Sequence, residues 1–72
     1  MTDTLLLKSM LLRKGLTVET ASEKLGISRA SMSYKVNNKR EFMASEIKQL
    51  SDLLELTDSE VRQIFFTVNV DE

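Results

Sequence analysis

The side chains able to do chemistry are few, and their spacing serves catalysis poorly. Ser31 and Ser33 stand near Lys35 in the sequence, the makings of an activated hydroxyl. Nothing beside them supplies an oxyanion hole or a third group to orient the pair. Asp52, Asp58 and Glu60 lack the ligand spacing of a calcium loop, and the two glycines, Gly15 and Gly26, form no phosphate cradle. Histidine and cysteine are absent from all 72 residues. That removes the commonest general base, the commonest zinc ligand and every thiolate or disulfide site. The expectation is a protein that is not an enzyme and needs neither metal nor cofactor.

Charge is what the spacing does offer. The formal net charge is only −1, but it is unevenly placed. Residues 1–40 carry eight basic and three acidic groups, a net of +5, and residues 41–72 carry two basic and eight acidic groups, a net of −6. Arg29, Lys35, Lys39 and Arg40 fall within residues 26–40, where there is no acid at all. Such a dipolar chain reads either as a solvated surface with clustered charges or as a basic face for phosphates opposite an acidic face for something else.

The elements that must position these groups are short. Seventy-two residues with 42 % apolar content make one domain, 1–72, with one core. No apolar run approaches the length of a membrane span or forms a signal peptide, so a soluble chain in the cytoplasm is expected. A first helix starts at Asp3 or Thr4, places Leu7, Met10, Leu11 and Lys14 at helical spacing with Leu6 and Leu12 flanking, and closes at Arg13-Lys14-Gly15. Thr17 caps a second helix lined by Val18, Ala21 and Leu25 and stopped by Gly26. Ser28 caps a third, from about Arg29 to Asn37, with Met32 and Val36 facing inward. Asn37-Asn38 ends it, because asparagine tolerates the left-handed backbone.

A loop from Lys39 to Phe42 leads to a fourth helix striped by Ile47, Leu50, Leu53 and Leu54. Thr57 and Glu60 match a capping box that opens a fifth helix carrying Val61, Ile64 and Phe65. The tail 67–72 follows, alternating polar and apolar over Thr67–Val70 as an extended segment would. The acids Glu46, Asp52, Glu55, Asp58 and Glu60 read as the wet face of the last two helices or, more sharply, as a surface opposing a basic partner. Of the aromatics, Phe42 and Phe65 suit the core, whereas Tyr34 and one of Phe65 and Phe66 are hard to bury in so small a bundle. Beside that core reading, the candidate protein-interface residues are Tyr34, Phe42, Phe65, Phe66, Asp58 and Glu60.

The corner Leu25-Gly26-Ile27-Ser28 joins two short helices by a residue without a Cβ, an apolar pin and a capping hydroxyl. The stretch LTVETASEKLGISRASMSYKVNNKR, residues 16–40, resembles the Cro and repressor-type helix–turn–helix family of bacteria and phages. The likeness extends over roughly residues 4–66. It is stronger for a subgroup from phages of Gram-positive bacteria, through Lys35-Val36-Asn37-Asn38-Lys39, Phe42, Glu46-Ile47, Leu53-Leu54, Leu56, Glu60 and Ile64-Phe65-Phe66.

The resemblance implies an all-α, compact five-helix bundle with a lambda-repressor-like helix–turn–helix over about residues 17–37. It implies that the third helix enters the major groove, with Arg29, Ala30, Ser33 and Tyr34 facing base edges behind the capping Ser28. Lys35, Asn37, Asn38, Lys39 and Arg40 would be phosphate contacts. Two departures shift the expectation. The family often has a hydrogen-bonding glutamine where this chain has Val18, and polar residues where it has Ala30 and Tyr34.

The expected function is therefore control of a phage lysis–lysogeny switch in the cytoplasm of a bacterial host. The partner would be the N-terminal DNA-binding domain of a phage repressor, whose operator binding the protein blocks or alters. The alternative is a Cro-like repressor that binds operator DNA directly, as a homodimer.

Overall fold

The computed structural model describes residues 1–66, which fold into α1 (Thr4–Arg13), α2 (Val18–Leu25), α3 (Arg29–Val36), α4 (Ala44–Leu54) and α5 (Asp58–Phe65). The tail expected to be extended lies outside the described residues. Helices this short are marginal alone, so their ends are fixed locally and their faces by packing. Asp3 accepts from the Leu6 N–H at 3.0 Å, Thr17 from Thr20 at 3.0 Å and Ser28 from Ser31 at 3.0 Å. Each side-chain oxygen satisfies one of the amide groups that a first helical turn leaves without a partner. The capping box of α5 closes in both directions, with the Glu60 N–H donating to Thr57 Oγ1 at 3.1 Å and the Thr57 N–H to Glu60 Oε1 at 2.8 Å.

Packing follows the apolar stripes. Leu7 and Leu11 of α1, Ala21 and Leu25 of α2, Met32 and Val36 of α3, Leu50 and Leu54 of α4 and Ile64 and Phe65 of α5 meet in one core with Phe42. The Phe42 and Phe65 rings pack edge to face, with centroids 5.4 Å apart and planes at 82°, the arrangement that aromatic quadrupoles favour. The result is an all-α, compact globule of five helices in which α2 lies against α3, α1 and α4, and α5 closes against α1 and α4. Leu12, expected beside the α1 stripe, is 78 % exposed instead. It sits one residue past Leu11, about 100° around the helix, and Leu5 shares its outer face.

Gly26 ends α2 at φ +74°, and its N–H reaches back to Glu23 O, the left-handed turn that a Cβ disfavours. Ile27 then tucks its own N–H onto Ser22 O at 3.1 Å. The N-terminal segment straps the far end of α3. The Thr2 N–H donates to Asn38 Oδ1 and Asn38 Nδ2 donates to Thr2 O, both at 2.7 Å. Thr4 Oγ1 donates to Val36 O, and the Asp3 N–H to Ile64 O, both at 2.6 Å. These bonds cross 32 residues or more of sequence and tie the N-terminal segment to the end of α3 and, through Ile64, to α5. Among the described residues no helix is long and apolar enough to cross a membrane.

Candidate functional site

The sequence-predicted residues converge on α3 and the turn after it. Met32 and Val36 point into the core with no exposed area, which turns Arg29, Ala30 and Tyr34 outward by the 3.6-residue period. Ser33 is half-buried at the edge of this face, and Ser28 is engaged as the cap. Arg29, Ala30, Ser33 and Tyr34 thus share one side of α3.

The phosphate-contact candidates divide. Lys35 turns away from the outer face, and its Nζ lies 2.6 and 2.8 Å from the two Glu46 carboxylate oxygens. Asn37 Nδ2 donates to Ser33 O at 2.9 Å, prolonging α3 by a side-chain bond. Asn38 adopts φ +65° and holds Thr2. Lys39 and Arg40 are exposed, but both of their backbone N–H groups donate to Tyr34 O, at 2.8 and 3.3 Å. The Arg40 guanidinium carbon lies 5.1 Å from the centre of the Tyr34 ring, within range of a cation–π attraction. Exposed positive charge thus remains on Arg29, Lys39 and Arg40, while the other polar groups are bound within the fold.

Two of the interface candidates are corrected. Phe42 and Phe65 are 8 % and 4 % exposed and occupy the core, so they are unavailable to a partner. Phe66, the next residue around α5, is 59 % exposed, and Tyr34 is 43 % exposed. Asp58 is exposed in the first turn of α5, and Glu60 is half-buried as its reciprocal cap.

Glu46 is the residue whose role the sequence reading missed. It was expected on a wet face and is 6 % exposed, because its carboxylate receives both the Lys35 ammonium and the Met43 N–H at 2.8 Å. Burial pushes its carboxyl upward, but the Lys35 hydrogen bond, the Met43 amide and the Lys35 charge together hold it below the ordinary value. A glutamate three residues after Met43, in the first turn of a helix, was the available signal.

The shallow depression between α2 and α4 is lined by Lys24, Leu25, Gln49, Asp52 and Leu53 and includes no predicted site residue. Among the described residues no three His, Cys, Asp or Glu side chains gather as a metal site would require. Comparison with protein-family models finds no match to the chain, and comparison with curated proteins finds no significant match.

Proposed function

We propose that this chain is a phage transcriptional regulator of the antirepressor type, acting by protein contact and not by catalysis. In this reading α2, the Gly26-Ile27 corner and α3 form a helix–turn–helix of the Cro and repressor type, redirected from DNA to protein. Within that family the chain resembles the modulator of repression, a small antirepressor of lactococcal temperate phages. The partner is the N-terminal DNA-binding domain of a phage repressor, engaged in the cytoplasm of the bacterial host.

One observation carries the reading: of the groups that would hold phosphates, three side chains and two loop amides are spent inside the fold. Lys35 is paired with Glu46, Asn37 with Ser33 and Asn38 with Thr2, and the amides of Lys39 and Arg40 are taken by Tyr34 O. A DNA-binding face depends on several such donors, since phosphate contacts supply most of the non-specific affinity and set register. An exposed tyrosine beside exposed arginine is the composition of a protein contact. Footholds for direct operator binding remain, because the side chains of Arg29, Lys39 and Arg40 stay exposed, and at the start of α3 an arginine can pair with guanine.

The test is a gel shift of the repressor encoded beside this gene on its operator, titrated with the chain, with a lane lacking repressor. Loss of the repressor band, with no shift by the chain alone, is the expected result. A shift produced by the chain alone overturns it in favour of the Cro-like reading.

A further inference from the structure

The turn after α3 is built on Tyr34, and that construction specifies what the face would grip. The Tyr34 carbonyl collects two successive amides, from Lys39 and Arg40, so the chain folds back over the end of its own helix. The left-handed Asn38 makes this reversal possible. Its product is the Arg40 guanidinium set 5.1 Å from the centre of the Tyr34 ring. A cation–π contact is made with the ring's face and consumes none of the guanidinium N–H donors. Among the described residues no carboxylate or carbonyl takes those donors. The three ion pairs found there belong to Lys14, Lys35 and Lys48, and the neighbouring Glu41 is not a partner. The arginine is thus oriented by an aromatic platform while its hydrogen-bonding edge stays open.

We propose that Arg40, positioned by Tyr34, anchors a carboxylate on the protein partner, and that the apolar surface around that carboxylate covers the tyrosine ring. The proposal rests on the reading of α3 as a protein-binding face. Chemistry favours a carboxylate for three reasons. The planar fork of arginine matches a carboxylate with two parallel hydrogen bonds. A guanidinium already held against a ring loses less side-chain freedom on binding than a free one. And the ring, 43 % exposed, gains from apolar cover, which a protein supplies and a phosphodiester backbone does not. A phosphate track would also draw on the loop amides, and both are already committed to Tyr34 O.

The experiment measures affinity of the full chain for the purified repressor encoded beside it, by titration calorimetry at low and high salt. Arg40→Glu is expected to weaken the complex at least about 30-fold, as loss of an interfacial charge pair does. Arg40→Lys, which keeps the charge but not the fork, should lose about 10-fold. Tyr34→Phe keeps the platform and should bind within about twofold of wild type, whereas Tyr34→Leu should fall to the level of Arg40→Lys. The salt dependence of affinity should shrink or reverse in Arg40→Glu and stay near wild type in Arg40→Lys, which simple loss of packing area would not produce.

Arg40 is exposed, so its variants should keep the wild-type thermal transition. A complex indifferent to Arg40→Glu overturns the proposal and leaves the antirepressor reading standing, while a wild-type chain that binds no repressor sinks both. If Tyr34→Phe behaves as Tyr34→Leu, the hydroxyl and not the ring is what counts, and the platform is rejected. An operator fragment shifted by the wild-type chain alone but not by Arg40→Glu assigns the arginine to a phosphate, and that also overturns it.

Discussion

Lys35 Nζ bridges both carboxylate oxygens of Glu46, at 2.6 and 2.8 Å, and the two side chains are 12 % and 7 % exposed. The contact joins the inner edge of α3 to the first turn of α4. The same carboxylate accepts the Met43 N–H, so one group both starts α4 and fixes the back of the proposed recognition helix. A negative charge also suits the positive end of α4. Removing one partner would leave the other buried without a countercharge.

That loss sets the first prediction. Breaking a buried pair from one side costs about 3–5 kcal/mol, whereas a domain of 72 residues holds about 4–10 kcal/mol in all. Lys35→Met should therefore lower the thermal midpoint by well over about 10 °C, read by circular dichroism. Glu46→Gln should cost less, since its amide oxygen still accepts from Met43 and Lys35. A Lys35→Met midpoint within a few degrees of wild type would mean that the pair is in effect solvated.

Acid should act through the same carboxylate. Its folded value lies below the ordinary 4.5 despite burial, so between the two values the unfolded chain binds the extra proton. Stability from this group is therefore complete above the ordinary carboxylate range and is lost as pH falls through it toward the folded value. Urea midpoints taken from neutral pH downward should drop more steeply for wild type than for Glu46→Gln below about pH 5. Parallel curves would remove Glu46 from the acid response.

Asn38 holds a left-handed backbone and clasps Thr2, and two substitutions separate those tasks. Asn38→Gly keeps the backbone freely but loses the side-chain bonds, costing about 1–2 kcal/mol. Asn38→Ala loses the bonds and adds about 1–2 kcal/mol of left-handed strain. Denaturant midpoints should fall in the order wild type, glycine, alanine, and hydrogen exchange at the Thr2 amide should quicken in both variants. Equal midpoints for glycine and alanine would show that the backbone relaxes out of the left-handed region.

What could be read from the sequence was what lies within one helical turn. Thr17, Ser28 and the Thr57–Glu60 pair mark helix starts through bonds three residues long, and Leu7 with Leu11 or Met32 with Val36 mark inner faces at four. The rest depends on three-dimensional packing. Glu46 meets Lys35 across 11 residues and Asn38 meets Thr2 across 36, separations that no local pattern encodes. The end of α4 was equally silent, because its left-handed residue is Glu55 at φ +55° and not a glycine. For the candidate site, residue types placed Arg29, Ala30 and Tyr34 on α3. They did not reveal that Lys35, Asn37 and Asn38 are spent internally, the observation on which the proposed protein-binding role of this face rests.

Phe65 and Phe66 offer the sharpest separation of fold from function. Adjacent helical residues point about 100° apart, and here one ring packs edge-on to Phe42 while the other is 59 % exposed. Phe65→Ala should cost about 3–5 kcal/mol, enough to leave the domain near its unfolding threshold. The milder Phe65→Leu should lower the thermal midpoint measurably without abolishing the transition. Phe66→Ala should stay within about 0.5 kcal/mol of wild type, as should Tyr34→Ala apart from its released arginine. Both of these outer variants should nevertheless weaken the repressor complex if the exposed rings meet the partner. Thermal unfolding and repressor affinity measured on the same preparations decide between the roles. A Phe66→Ala chain that loses as much stability as Phe65→Leu would return that ring to the core and remove it from the interface.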